Sequence, residues 1–160
     1  MSGVKDFISK EEKHERRLAK VMNWEYVEEQ KKGSCYDFIA PDGEKIEVKF
    51  DWDSIKTGNH YLEFAQTNDN KVTWVPSGFS LSSEEVDYWV VINEEFLRIF
   101  RVDQLKLFLF ENRATLKVKE TRSGINSNAF GQFSKAYLIP FSLLDNISMI
   151  KMSNPIERSL

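Results

Sequence analysis

The sequence predicts an α/β domain with a mixed β-sheet flanked by helices, and three observations carry that expectation. Residues 4–22 repeat apolar side chains at helical spacing, residues 45–52 alternate with period two, and later strands interleave with a further helix. The length of 160 residues fits one ordinary domain, with no shift of composition that would divide it. Residues 1–152 are therefore expected to form one α/β domain, with a frayed tail over 153–160.

In the first element, Val4, Phe7, Ile8, Leu18 and Met22 recur at helical spacing. Positions 4, 8, 11, 15, 18 and 22 share one stripe, with Glu11 and Glu15 in its middle. Two carboxylates on an otherwise apolar face either lay their stems along the core with their heads in water, or serve a purpose. After a loop over 28–34, residues 35–40 read as a short apolar strand interrupted by Asp37. Pro41-Asp42-Gly43-Glu44 has turn chemistry. In the next strand Ile46, Val48, Phe50 and Trp52 point one way, and Lys45, Glu47, Lys49 and Asp51 the other.

A polar link over 53–59 leads to a third strand, 61–66, then a turn over 67–71 and the Trp74–Phe79 segment. Ser82-Ser83-Glu84-Glu85 reads as a capped helical turn. Residues 86–92 and 96–102 read as neighbouring strands, and 103–110 as a helix capped by Asp103. Late strands are expected at 116–119 and 137–139, separated by a Ser/Asn/Gly-rich loop over 122–134, and residues 140–144 close the compact part.

Composition narrows the function classes. Apolar residues make up 41% and aromatic residues 13%, enough for a core and too much for an intrinsically disordered chain. No apolar run approaches ~18 residues, so no membrane span is expected. The first residues lack the pattern of a signal peptide, and the expected location is the cytoplasm. One cysteine, Cys35, and two histidines, His14 and His60, supply neither an intramolecular disulfide nor a structural zinc site. Cys35 is expected to be a small buried residue, and the histidines to lie at the surface. A net charge of −3 argues against a protein that coats DNA by bulk charge. It permits an enzyme whose acids hold a divalent cation while basic side chains act locally.

One constellation carries chemistry. Asp37 interrupts an apolar strand, an unfavourable place for it, and Glu47 and Lys49 share a face of the strand paired with it. Asp37 and Glu47 can therefore approach across the hairpin, where their charges repel unless a cation lies between them. All-oxygen ligation favours Mg2+ or Mn2+ over zinc. An acid followed two residues later by Lys also occurs at Glu11/Lys13, Glu29/Lys31 and Asp69/Lys71. Only Glu47/Lys49 lies on an alternating strand that follows an Asp-bearing strand and a tight turn.

Asp37, nine intervening residues and then Glu47-Val48-Lys49 resemble the signature of the PD-(D/E)XK nuclease superfamily, with Tyr36 where Pro is usual. His14-Glu15-Arg16-Arg17-Leu18-Ala19-Lys20 resembles the first-helix glutamate motif of its Holliday-junction-resolvase-like members. Residues 56–64, 76–79 and 86–89 look similar to small phage-type nucleases, and the likeness spans residues ~10 to 92. The resemblance implies a restriction-endonuclease-like core and a metal-dependent DNA endonuclease, which for a phage-type protein acts inside a host cell. Asp37, Glu47 and the Val48 carbonyl are implied metal ligands, with Glu15 completing a second position or holding a metal-bound water. Lys49 is implied to orient or help deprotonate the attacking water and to steady the phosphate; beside carboxylates it is expected to stay protonated, which suits the electrostatic part better. A homodimer is expected by analogy, because two-strand breaks and branched junctions take two active sites. Lys56, Arg122 and Lys135 are candidate DNA-backbone contacts. Glu63 and Gln66 are weighed as outer partners of the site, and Trp74 as a stacking platform. The alternative function is a catalytically silent nucleic-acid-binding or assembly module of the same fold, and RNA is the alternative substrate.

Overall fold

The computed structural model describes residues 9–28, 36–122 and 131–158. It is an α/β fold with two sheets rather than one. Helix α1 (Lys10–Met22) starts after Ser9, an extended residue whose hydroxyl accepts from the Glu12 N–H. That cap breaks the helix expected over 4–22, and residues 4–8 lie outside the described residues. Asn23, in the left-handed conformation at φ 56°, ends it.

Next come β1 (Glu25–Tyr26), β2 (Phe38–Ile39) and β3 (Lys45–Phe50), the short helix α2 (Ser54–Thr57), β4 (Asn59–Thr67), β5 (Val75–Pro76) and the short helix α3 (Phe79–Ser82). The chain continues through β6 (Tyr88–Ile92), β7 (Phe96–Arg101), α4 (Val102–Asn112), β8 (Lys117–Arg122), β9 (Phe133–Pro140), α5 (Phe141–Leu144) and β10 (Ile150–Ser153). Cys35 lies outside the described residues. α4 begins one residue before Asp103, whose carboxylate accepts from the adjacent Gln104 N–H instead of capping; as an acid in the first turn it still complements the helix dipole.

The first sheet runs β1-β2-β3-β6-β7-β10 and is mixed, because β3 and β6 are parallel while the other pairs are antiparallel. The second runs β5-β4-β9-β8 and is antiparallel throughout. The strand after the hairpin thus leaves the first sheet. β3 already has β2 on one edge and β6 on the other, so β4 finds its partner in β9. Period-two alternation specifies a strand's faces and not its neighbour.

Two cores follow from this arrangement. Leu18 and Ala19 of α1 pack on Ile46, Val48, Val90, Ile92, Leu97 and Ile99 on one face of the first sheet. On the opposite face Trp89, Val91 and Phe100 meet Leu62 and Ile139 of the second sheet and Leu105, Phe141 and Leu144 of the helices. The face of β3 that carries Glu47 and Lys49 is therefore turned toward a second layer of protein. The fraying expected over 153–160 does not hold for residues 153–158, and residues 159–160 lie outside the described residues. Ile156 is 4% exposed in the α1-side core, and the Arg158 guanidinium donates to Asp53 and Glu94.

Candidate active site

The β2–β3 turn sets the site. Gly43 takes φ +88°, the Asp42 carboxylate accepts from the Glu44 N–H, and the Ala40 N–H donates to the Glu44 carbonyl. The ladder then holds Phe38 opposite Ile46 and Ile39 opposite Lys45, and the Asp37 N–H donates to the Ile46 carbonyl. Beyond that pair the strands part. The Val48 N–H, which an ordinary ladder would give to a carbonyl, donates instead to Asp37 Oδ2 at 3.0 Å. A strand residue's N–H and C=O point to the same edge, so the Val48 carbonyl faces this notch as well.

Into the notch come the groups singled out from the sequence. Asp37, Glu47, Val48 and Lys49 line a cavity of about 200 Å³, together with Glu11, Glu12 and Glu15 of α1, Ser9 and Tyr26. Helix α1 brings Glu15 across the open edge of β3, and the hairpin supplies the rest. Both Asp37 and Glu47 are 9% exposed. Lys49 Nζ donates to Glu47 Oε1 at 2.7 Å and lies 5.3 Å from the centre of the Trp89 ring.

The electrostatics follow from burial. Loss of water pushes the Glu47 carboxyl up to about 7, with Lys49 opposing the shift, and Asp37 adding to it through charge and a hydrogen bond between the two carboxyls. Burial works against the charge on Lys49 as well, but the facing Glu47, Asp37 and Glu11 outweigh it and hold the ammonium above its usual value. Lys49 is therefore a fixed cation here. Tyr26 is raised above the ordinary phenol range, first by burial and then by the charge of Glu15 and a hydrogen bond to it. Its hydroxyl so fixes the Glu15 carboxylate, while the Arg16 guanidinium covers the Tyr26 ring at 4.9 Å.

Beneath Lys49 runs a second line of contacts. The Trp89 indole N–H donates to His60 Nε2 at 3.4 Å, and His60 Nδ1 faces Asp51 Oδ2 at 3.0 Å. An indole nitrogen can only donate, so Nε2 accepts and the ring proton lies on Nδ1, toward Asp51. His60 is 2% exposed and His14 3%, so neither is the surface residue expected. His14, on α1, packs against Phe50 and Trp52, with Nε2 at 3.0 Å from the Arg158 carbonyl.

The donor set fits a hard divalent cation. Asp37, Glu47 and the Val48 carbonyl offer only oxygen, and the proton that the Asp37–Glu47 contact takes up is what a cation displaces. The set is not preassembled: among the described residues no three His, Cys, Asp or Glu side chains are grouped as a ready metal site. Lys49 occupies one oxygen of Glu47 and the Val48 N–H one of Asp37.

The other candidates sit elsewhere. Lys56, on α2, is 76% exposed and pairs with Asp53. Arg122 ends β8, near the Phe133 ring. Lys135, on β9, lies 4.1 Å from the Trp74 ring and 3.9 Å from Glu120. Glu63 and Gln66 lie on β4 in the second sheet. Neither these two nor the three cations are among the residues lining the carboxylate cavity. Sequence reasoning passed over Tyr26, because β1 is only two residues long and shows no periodicity. Comparison of the chain with protein-family models, with curated proteins and with solved structures returns no match.

Proposed function

We propose that the chain is a metal-dependent phosphodiesterase that cleaves DNA as an endonuclease. The observation that carries this reading is the meeting of Asp37, Glu47, Lys49 and Glu15 in one polar cavity where β2 and β3 part. Asp37, Glu47 and the Val48 carbonyl would hold Mg2+ or Mn2+, with Glu15, which lines the same cavity, completing a second position. Such a cation, when bound, lowers the pKa of water and offsets charge developing on the phosphate.

The chain's own groups have distinct parts. Lys49 is held protonated by its carboxylate neighbours, which suits it to stabilise a phosphate's negative charge and not to remove a proton. Trp89 supports the ammonium from below. Glu47, whose carboxyl is raised to about 7 without a cation, would give up its proton to serve as a ligand. Tyr26 acts through Glu15 and is a positioning residue.

Incubation with supercoiled, linear and branched DNA and with RNA, in Mg2+, Mn2+ or EDTA, tests the reading. Cleavage of DNA that needs metal and is lost in Lys49→Ala and Glu47→Ala supports it. Intact nucleic acid in every condition would leave a binding or assembly module. The Glu47–Lys49 pair, closed without metal, is the feature that favours that second reading.

A further inference from the structure

A second cavity adjoins the carboxylate site. It measures about 320 Å³ and is walled by His14 and Glu11 of α1, by Phe50 and Trp52 just past Lys49, and by Lys10 and Arg158. Glu11 lines both cavities. The Phe50 and Trp52 rings are stacked, 5.6 Å apart and 17° from parallel, and His14 lies 5.2 Å from Trp52. Both large rings are only partly buried.

The charge balance says what kind of group fits. Asp53 and Glu94 hold the Arg158 guanidinium at 3.0 Å each, and the charge of Glu11 offsets that of its neighbour Lys10 in the lining. The walls therefore carry no surplus positive charge for a phosphate. Stacked aromatic faces with polar groups at the rim favour a flat, uncharged ring with hydrogen-bonding edges.

We propose that this cavity is a nucleobase subsite that receives an unpaired base next to the scissile phosphate, which makes single-stranded or branched nucleic acid the preferred substrate. This rests on the phosphodiesterase reading. A base inside a duplex has both faces covered by its neighbours, so only an unpaired or extruded base can lie against Trp52 and Phe50.

Cleavage kinetics in Mg2+ decide it, with a single-stranded oligonucleotide, its fully paired duplex, and single strands carrying one abasic residue at each position flanking the cut in turn. For the wild-type protein, one abasic position raises KM about tenfold or more, as expected for loss of one base–aromatic stack. Trp52→Leu raises KM for the intact strand by a similar factor with kcat nearly unchanged, and is insensitive to that abasic position. Trp52→Phe, which keeps a stacking face, restores most of the loss. The proposal is overturned if no abasic position affects the wild-type protein, if Trp52→Leu leaves KM unchanged, or if only the duplex is cut. The wild-type abasic series decides between these outcomes even if Trp52→Leu fails to fold. If the wild-type protein cuts no nucleic acid, the phosphodiesterase reading itself falls; cleavage without abasic sensitivity removes the base subsite alone.

Discussion

Glu47 is a carboxyl that burial holds at the edge of ionisation, and its titration has two readable consequences. Its folded value, about 7, lies above its unfolded value of 4.5, so ionisation works against the native state. That destabilisation is absent below about 4.5, grows as pH rises to 7 and is complete above it. In EDTA, Glu47→Gln should therefore gain stability relative to wild type between pH 5 and 8, on the order of 1–3 kcal/mol by chemical denaturation. Metal binding must expel the same proton. Apparent Mn2+ affinity by calorimetry should fall about tenfold per pH unit below 7 and level off above it. Tyr26→Phe removes the hydroxyl that fixes Glu15 and leaves the ring under Arg16. Activity should drop about tenfold, as is typical when an outer partner of a ligand is lost, with thermal stability within a few degrees of wild type.

Among the elements, the hairpin was the most legible in the sequence and its surroundings the least. Strict alternation over 45–52 and Pro41-Asp42-Gly43 define a strand and a turn by local chemistry, and Asp37 announces itself by interrupting an apolar strand. Tyr26 and the partners of β4 depend on which strands meet, which no local pattern encodes. His60 illustrates the same limit: its two ring nitrogens meet Trp89 and Asp51, distant in sequence from each other. Gly78 is another contact invisible in the sequence. It takes φ +51°, and an added Cβ would lie 2.6 Å from the Glu63 carbonyl, where β4 carries a bulge. Gly78→Ala should cost at least ~2 kcal/mol of unfolding free energy, measured by denaturant titration, through both backbone strain and the clash.

Across the whole molecule, α1 and the second sheet clamp the mixed sheet from opposite faces, and the carboxylate cavity opens where α1 crosses the parted strands. No helix among the described residues is long and apolar enough to cross a membrane. The C-terminal segment belongs to the clamp, since Ile156 fills the α1-side core and Arg158 ties to Asp53 and Glu94. Its composition is mostly polar, with Ile156 and Leu160 set apart from each other, which is why it reads as a tail. Truncation after Ser153 should lower stability by ~2–4 kcal/mol, most of it from the lost burial of Ile156.

If Asp37, Glu47 and Lys49 cleave phosphodiesters with a divalent cation, removing one ligand charge without disturbing the notch must abolish the reaction. Single-turnover nicking of supercoiled DNA in Mg2+, by the wild-type protein beside Asp37→Asn, makes that comparison. The asparagine oxygen can still accept from the Val48 N–H, so the notch keeps its shape while the ligand loses its charge. Metal-dependent nicking that falls at least a hundredfold in the variant, at equal thermal stability, is the expected result. Equal nicking by both proteins, or none by the wild type in any metal, would contradict it.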